Sequence, residues 1–470
     1  LPIFPLKKIP RHVAYCEESF RKLTGFAHMA TLHSAEKKHL SAPGLLATVR
    51  KVFEGVPEPM RDSRGMKSEI SLTDCLMSGL AIFGLKFPSL LQFDQQRSQE
   101  ITQNNLRSLY RVEKAPCDTR LRERLDLVHP DSIRKTFKVV FAALQRGKVL
   151  EQYCFLDDYY LLSQDGTGVF SSENVHCECC CEKHHKDGRI IYQHQMLAGV
   201  IVHPDHKEVF PLCPEAITKQ DGTTKNDCER NASFRFLDHV RREHPHLKLI
   251  VTSDALNSNG PYIRKLQSLN MRFIIVVKPD GNKSLFEWLQ GIKLSVHKVK
   301  SEDGSEYTFR FINDIPLNDA HHDIKVNYFE VDIQEGNGKR QHFSWITDMK
   351  ISKKNVYELS RGGRAKWKIE NETFNTLKNQ GYNFEHNFGH GYKHLSTVLT
   401  LLMFLAFLID QVQQRSCGLF QAALKKVGTR VRLWFKIRAL WEHYYINSWE
   451  DLYQSLAVGL KGAHLEPNSS

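Results

Sequence analysis

The chain has 470 residues, 41% of them hydrophobic and 25% charged, which is the composition of an ordinary globular protein. Lys and Arg total 65 against 53 Asp and Glu, and the formal net charge of +12 mildly favours a polyanionic partner. Eleven cysteines in so long a chain argue against a secreted disulfide framework, and the most apolar stretch, 398–409, is too short to span a bilayer. The N-terminus lacks the basic-then-apolar order of a secretory signal, so we expect a reduced, cytoplasmic protein with no membrane partner.

The N-terminal third is predicted to be helical. Residues 1–60 contain six prolines, and we expect this part to be poorly ordered. Residues 71–74 have the composition of a helix start, and apolar periodicity continues through most of 65–150. We assign 1–150 to one helical N-terminal region.

The periodicity changes to that of strands after Tyr153. Strands are predicted over Tyr159–Ser163, His194–Val202, Glu208–Leu212, Leu247–Thr252 and Met271–Val277, with helices over Ser233–Glu243 and Pro261–Leu269. The order β-β-β-α-β-α-β is that of a ribonuclease-H-like fold, a mixed sheet flanked by helices. We place the first part of this α/β core at 151–292 and its second part at 351–412.

A strand-rich block interrupts this core at 293–350. Apolar and polar residues alternate in 307–312 and 326–333, and Asp303-Gly304 and Asn337-Gly338 are typical hairpin turns. We therefore predict an inserted β-rich domain.

The C-terminal region, 413–470, is predicted to be helical and basic. Seven basic residues and no acidic one lie between Arg415 and Arg438, with Trp434 and Phe435 interleaved. A helix that follows a phosphate backbone has this composition. The alternative is an ordinary solvated helix face.

Three acidic residues are predicted to form a metal site. Asp165 falls at the end of the first predicted strand, Asp254 just after the fourth, and Glu370 on a predicted helix over 367–378. In the predicted topology the first and fourth strands lie side by side, so their carboxylates can converge. Carboxylate oxygens are the ligands that Mg²⁺ or Mn²⁺ prefers, and a pair of such ions can cut and rejoin phosphodiester bonds.

These stretches resemble the DDE transposases of bacterial insertion sequences, in particular the "insertion sequence four" family of cut-and-paste enzymes. The matching segments are Asp165-Gly166-Thr167, Thr252-Ser253-Asp254-Ala255 and Trp367-Lys368-Ile369-Glu370, followed by Phe374 and Lys378. The resemblance covers most of 65–410 and implies that Asp165, Asp254 and Glu370 bind two Mg²⁺ ions. It also implies a homodimer in the bacterial nucleoid that cuts double-stranded DNA at terminal inverted repeats and joins the freed 3′-OH to target DNA.

The family's motif of Tyr, two residues, Arg, three residues, Glu, six residues and Lys is only partly present. The Arg position holds Lys366, the Tyr position holds Gly363, and Lys378 lies one residue beyond the Lys position. Glu372 is therefore an alternative to Glu370 as the metal ligand. We prefer Glu370, because it lies in the matching Trp-Lys-Ile-Glu segment. Its spacing to Phe374 and Lys378 also keeps the three side chains on roughly one helix face.

Several side chains are candidates for DNA contacts. In the resembling family a tryptophan near the end of the insertion stacks on an extruded base, and Trp345 occupies such a position. The alternative is a core tryptophan within a strand. The candidate DNA-binding residues are Trp345, Arg361, Arg364, Lys366, Lys378, Arg430 and Arg432.

A dense group of cysteines and histidines follows the first strand. Cys177 and Cys180 have the C-x-x-C spacing of a zinc knuckle. Candidate partners are His184, His185, Cys213 and Cys228, and the predicted structural Zn²⁺ site consists of Cys177, Cys180, His184 and Cys228. Reduced cysteines without a metal are the alternative. A polar run at 225–231 opens the next helix, and it either faces the catalytic groove or caps that helix.

The sequence thus predicts a transposase whose N-terminal and basic C-terminal helices contact DNA. One alternative is a ribonuclease-H-like nuclease that cuts without joining. Another is a decayed transposase that only binds DNA, although the presence of all three carboxylates weighs against decay.

Overall fold

The computed structural model describes residues 38–58, 69–219, 228–460 and 465–468. Part of the N-terminal stretch that we expected to be poorly ordered, 1–37 and 59–60, lies outside these residues. The remainder differs from the prediction, because it contains helix α1 (Ala42–Glu54), which the Ser41 side chain caps. Its apolar face is buried, and Pro43 does not interrupt it because proline is tolerated in the first turn of a helix.

The predicted N-terminal helices are present. They are α2 (Leu72–Gly84), α3 (Leu90–Gln96), α4 (Glu100–Tyr110), α5 (Asp118–Asp126) and α6 (Asp131–Arg146). The predicted helix start is confirmed: the Ser71 hydroxyl accepts a hydrogen bond from the Asp74 backbone N–H at 3.0 Å.

A 12-stranded sheet forms the centre of the described structure. Its first eight strands are β1 (Cys154–Phe155), β2 (Tyr159–Ser172), β3 (Cys181–His184), β4 (Ile190–Val202), β5 (Phe210–Pro211), β6 (Glu215–Ile217), β7 (Leu249–Ser253) and β8 (Arg272–Val276). β4 pairs antiparallel with β2 and also with β3, β5 and β6. β7 runs parallel to β2, and β8 runs parallel to β7. The predicted α/β class with a mixed sheet is confirmed.

Three helices connect or follow these strands. They are α7 (Glu229–Glu243) before β7, α8 (Gly260–Ser268) between β7 and β8, and α9 (Lys283–Gln290) after β8. The first two match the predicted helices to within four residues at either end.

The predicted β insertion consists of β9 (Ser295–Lys300), β10 (Glu306–Pro316), β11 (Lys325–Gln334) and β12 (Arg340–Thr347). These strands extend the central sheet, because β12 pairs antiparallel with β8, with Trp345 opposite Val276. The sheet order is β3-β4-β2-β7-β8-β12-β11-β10-β9. The insertion therefore covers the open edge of β8 and is continuous with the core sheet, where the sequence predicted an inserted domain.

The helix predicted over 367–378 is replaced by several shorter pieces. Helix α10 (Val356–Arg364) leads into a 3₁₀ turn (Ala365–Trp367), a π-helix (Ile369–Phe374) and α11 (Asn375–Asn379). A π-turn widens the backbone and shifts the residues that follow around the helix axis, and such turns are frequent at functional sites. Glu370 lies in the π-helix.

The C-terminal part is helical, as predicted. It consists of α12 (Leu395–Ser416), α13 (Gly418–Val427), α14 (Arg430–His443) and α15 (Trp449–Val458), with a small pair formed by β13 (Tyr444–Tyr445) and β14 (Glu466–Pro467). Among the described residues, α12 is the one helix with the length and apolarity of a membrane span, and its most apolar window is entirely buried within the fold. Its position is that of a core helix, which agrees with the prediction for 398–409.

Candidate functional site

Asp165 and Asp254 belong to neighbouring parallel strands, and each lies just beyond the point where the pairing of β2 with β7 ends. The sequence predicted Asp165 at the end of its strand, whereas β2 continues to Ser172 because it stays paired with β4. Ser163 of β2 is opposite Thr252 of β7 in the strand register, and each aspartate lies two residues further along its own chain. The backbone N–H of Gly166 donates to Asp165 Oδ1 at 2.9 Å. Asp254 follows β7 and caps a 3₁₀ turn through Oδ1. The prediction that these two strands lie side by side is confirmed.

Lys366 connects Glu370 to this strand end. Its ammonium donates to Asp165 Oδ2 at 3.1 Å and to Glu370 Oε1 at 2.6 Å, while its residue is only 6% exposed. The Ser163 hydroxyl donates to the Lys366 carbonyl at 2.9 Å, which fixes the 3₁₀ turn against β2. The alternative ligand, Glu372, points elsewhere, and its carboxylate lies 3.7 Å from the Arg430 guanidinium.

Glu229 is a fourth acidic residue at the site, and the sequence indicated it only as part of the polar run at 225–231. It lies in the first turn of α7, and a Cβ built on Gly166 would come within 2.6 Å of Glu229 Oε2. Glycine at 166 therefore allows Glu229 to approach β2. Of the rest of the polar run, 225–227 lie outside the described residues.

The electrostatics of these residues favour a bound cation. Burial raises the pKa of Asp165, the Lys366 ammonium opposes this rise, and Glu370 adds to it. Burial also raises the pKa of Glu229, with further contributions from the charges of Asp254 and Asp165. Burial opposes the charge of the Lys366 ammonium, but its contacts with Glu370 and Asp165 raise its pKa. In the part of the chain that the structure describes, no three of these carboxylates have oxygens that all lie within 4.8 Å of one another.

The Cys/His cluster consists of Cys177, Cys180, His194 and His390, and it corrects the predicted zinc ligands. One potential ligand atom from each of the four residues lies within 4.8 Å of all the others. Cys177 and Cys180 come from the loop between β2 and β3, His194 from β4, and His390 from the segment before α12. The two predicted cysteines are present, whereas both histidines were missed.

The other predicted partners lie outside this cluster. His184 is exposed on β3 and contacts Glu182 at 3.1 Å, and His185 is in the turn that follows. Cys213 is buried near the Pro214 carbonyl, and Cys228 is exposed at the start of α7. None of the four supplies an atom to the Cys/His cluster. His194 could have been found as a ligand from its place in a predicted strand beside β2. Nothing in the sequence indicated His390 as a ligand.

Trp345 does not present a stacking surface. Its indole is 1% exposed and packs between Phe329 and Phe343, at ring-centroid distances of 5.1 and 5.7 Å. Gly363 of α10 covers the indole, since a Cβ there would come within 2.6 Å of it. The core alternative for this tryptophan is therefore correct.

An open groove beside the carboxylate site contains an exposed tryptophan, Trp367, which was not among the predicted DNA contacts. Trp367 is 50% exposed, and the Lys366 ammonium lies 5.2 Å from its ring. The groove is lined by Pro204, Gln341, Phe343, Arg361, Arg364, Ala365, Trp367 and Lys368. Two predicted DNA contacts, Arg361 and Arg364, are thus on the same groove, although Arg361 also pairs with Glu358 and Asp205.

Of the remaining predicted DNA contacts, Lys366 lies between the carboxylates of Asp165 and Glu370. Lys378 forms an ion pair with Glu385 at 2.9 Å, and the π-helix between Glu370 and Lys378 breaks the regular spacing from which a common face was predicted. Arg430 is half-buried near Glu372, whereas Arg432 is exposed on α14. The chain matches no protein-family model and has no significant match among curated proteins.

Proposed function

We propose that this protein is a DNA transposase of the DDE class, with Asp165, Asp254 and Glu370 as its metal ligands. The observation that carries the proposal is the position of Asp165 and Asp254, each two residues beyond the last pair of the parallel strands β2 and β7, with Glu370 held to Asp165 through Lys366. Supporting it is the sheet order, in which β2 has β4 on one side and β7 on the other, as in a ribonuclease-H-like core. The β insertion between β8 and the glutamate segment agrees with the resemblance to "insertion sequence four" enzymes.

The donor set fits divalent metal ions. Carboxylate oxygens are hard ligands that suit Mg²⁺ or Mn²⁺, and the buried Lys366 ammonium already provides a positive charge between Asp165 and Glu370. Asp165, Asp254 and Glu370 would hold two ions, and Glu229 stands beside them. When bound, such ions activate the attacking hydroxyl and neutralise charge on the leaving oxygen.

The chain's own residues would position the DNA. Arg361, Arg364 and Lys368 place positive charge along the open groove, where phosphate oxygens can accept hydrogen bonds. Trp367 offers an exposed ring in the same groove, where an unpaired base can stack. Trp367 thereby takes the role that the sequence assigned to Trp345.

A second basic surface lies on the C-terminal helices. Lys425, Lys426, Arg432 and Lys436 are exposed, and Phe435 is 68% exposed among them. We propose that this surface and the N-terminal helices bind the terminal inverted repeats of the element as a homodimer. Phosphate contacts there would set affinity and position, while base contacts would set sequence preference.

The test is a cleavage and joining assay with Mg²⁺ or Mn²⁺ on DNA that carries the inverted repeats flanking the coding region. Wild type is expected to cut the ends and join them to a target plasmid. Asp165→Asn, Asp254→Asn and Glu370→Gln should each lower the cleavage rate by on the order of 10²–10³-fold, the scale of removing one preorganised electrostatic interaction. DNA binding should persist in all three variants.

Glu372→Gln is the matched control, because Glu372 is two residues away and faces Arg430. It should cleave at close to the wild-type rate. If Glu372→Gln loses cleavage while Glu370→Gln keeps it, Glu372 is the metal ligand instead. Cleavage without joined product would show that the protein is a nuclease and not a transposase. Binding without any cleavage would leave a DNA-binding protein only.

A further inference from the structure

The Cys/His cluster brings together soft ligands from three distant parts of the chain. Cys180 and His390 are 210 residues apart in sequence, and their Sγ and Nε2 atoms lie 3.2 Å apart. Cys180, His194 and His390 are buried, and Cys177 is half-buried. We propose that Cys177, Cys180, His194 and His390 bind one structural Zn²⁺ ion.

The distances between the four ligand atoms match the edges of a zinc tetrahedron. With Zn–S bonds of about 2.3 Å and Zn–N bonds of about 2.0–2.1 Å, tetrahedral edges are about 3.8 Å between sulfurs and about 3.3 Å between nitrogens. The Sγ atoms of Cys177 and Cys180 are 3.9 Å apart, and the Nε2 atoms of His194 and His390 are 3.1 Å apart. The Cys177 Sγ–His194 Nε2 distance, 3.3 Å, is of the same size.

Contacts with neighbouring groups orient the four ligand atoms toward a common centre. His390 Nδ1 lies 2.9 Å from the Gly391 carbonyl, to which it can donate only as the tautomer that leaves the Nε2 lone pair free. The Phe170 ring packs against the His390 ring at 4.7 Å and against the His194 ring at 6.1 Å. The backbone N–H of Cys177 donates to Cys180 Sγ at 3.4 Å. Orienting contacts of this kind are typical of metal-bound histidine and thiolate.

The ligand chemistry selects zinc and a structural role. Two thiolates and two imidazoles in tetrahedral arrangement suit Zn²⁺, whereas Mg²⁺ prefers oxygen ligands. Four protein ligands leave no open coordination position, so the site would not activate water. The inference does not depend on the proposed transposase activity.

The ion would connect the two halves of the catalytic core. Cys177 and Cys180 follow β2, which carries Asp165, while His390 lies between the glutamate segment and α12. A bound ion would therefore cross-link these two segments and hold in place the part of the chain that follows Glu370. Such a cross-link removes entropy from the unfolded chain.

The zinc content of the purified full-length protein tests the proposal. Wild type, expressed with zinc and purified under reducing conditions, should contain close to one zinc per chain by inductively coupled plasma mass spectrometry. Cys180→Ser and His390→Ala should lose the zinc, while the conservative His390→Cys should retain it. Cys179→Ser and His184→Ala are matched controls that should keep it, because neither residue belongs to the cluster.

A second measurement uses only the wild-type protein, so it tests the proposal even if the variants do not fold. Wild type loaded with Co²⁺ should show the visible absorption of tetrahedral cobalt with thiolate ligands, and Zn²⁺ should displace that signal. Folded wild type that lacks stoichiometric metal and carries a Cys177–Cys180 disulfide would overturn the proposal. So would zinc retained in both Cys180→Ser and His390→Ala, or a cobalt spectrum without thiolate bands.

Discussion

The carboxylate site and the Cys/His cluster both adjoin strand β2 but are assembled differently. In the Cys/His cluster the ligand atoms already lie within 4.8 Å of one another. At the carboxylate site a lysine stands between two of the acids, and in the described part of the chain no three of the acids have oxygens that all lie within 4.8 Å of one another. A structural ion needs a closed ligand set, whereas a catalytic site must admit metal, DNA phosphate and water.

This difference explains what each group contributes. The Cys/His cluster fixes segments that are distant in sequence, and its preformed geometry favours permanent occupancy. Lys366 keeps like charges apart in the carboxylate site and can be displaced when a divalent cation arrives. The predictions below separate these two kinds of site, starting with the largest expected effect.

Metal removal should affect the two sites unequally. Stripping zinc with 1,10-phenanthroline is expected to lower the free energy of unfolding by on the order of 5 kcal/mol, since binding to the native state alone stabilises that state. Omitting Mg²⁺ should leave the unfolding temperature almost unchanged but abolish DNA cleavage. Thermal unfolding with and without each metal measures this contrast, and equal effects of the two treatments would refute it.

Asp126 should stabilise the segment that carries His390. Its carboxylate accepts four backbone N–H bonds at 2.9–3.0 Å from 392–395, at the start of α12. Asp126→Ala should lower the free energy of unfolding by about 3 kcal/mol, whereas Asp126→Asn keeps one oxygen acceptor and should cost about 1 kcal/mol. Denaturant unfolding of both variants measures the difference, and equal costs would mean that the carboxylate's hydrogen bonds contribute little.

The same carboxylate predicts a pH dependence. Burial opposes ionisation, but the four backbone N–H bonds lower the pKa of Asp126 below its ordinary value. A lowered folded-state pKa means that the stabilisation is complete above the unfolded pKa of about 3.9 and is lost as the pH falls below it. Wild type should therefore lose more stability than Asp126→Asn between pH 5 and more acidic conditions, and parallel acid-unfolding curves would contradict this.

Lys366→Met should make the carboxylate site depend on metal for stability. Removing the ammonium leaves Asp165 and Glu370 without a shared donor, and we expect a loss of about 2 kcal/mol in the absence of divalent ions. Mg²⁺ should restore stability to this variant more than to wild type. Lys368→Met is the matched control, because Lys368 donates to the His206 carbonyl instead. Titrating Mg²⁺ during thermal unfolding would detect the difference, and identical responses would argue against a cation site.

The basic surface of α14 should give the smallest effect. Arg432→Ala combined with Lys436→Ala removes two exposed charges, and the slope of log affinity against log salt should fall by about 0.9 for each DNA phosphate that is no longer neutralised. Lys300→Ala, on the far strand β9, is the control and should leave the slope unchanged. Fluorescence anisotropy at several salt concentrations measures both slopes. If the double variant has the same slope as Lys300→Ala and wild type, DNA is bound elsewhere.

The sequence predicted features that depend on local pattern or on simple topology. Asp165 and Asp254 could be paired because strand order determines which strand ends are neighbours, and the spacing of Cys177 and Cys180 is itself a local signal. His390 could not be found, because ligands so distant along the chain are selected only by tertiary packing.

Two further errors have specific causes. Alternation along β12 indicates that Trp345 faces one side of the sheet but does not reveal that α10 covers that side through Gly363. The π-helix around Glu370 is equally absent from the apolar pattern, so 367–378 was predicted as one continuous helix. Both errors concern packing between elements, which periodicity within one element cannot determine.

The most direct test of the account is anomalous diffraction from crystals of the wild-type protein soaked in Mn²⁺. We predict a manganese peak within about 2.5 Å of oxygens from Asp165 and from Asp254 or Glu370, with the Lys366 ammonium moved away from at least one carboxylate. A structure in which Lys366 still bridges Asp165 and Glu370, with no manganese beside them, would contradict the account.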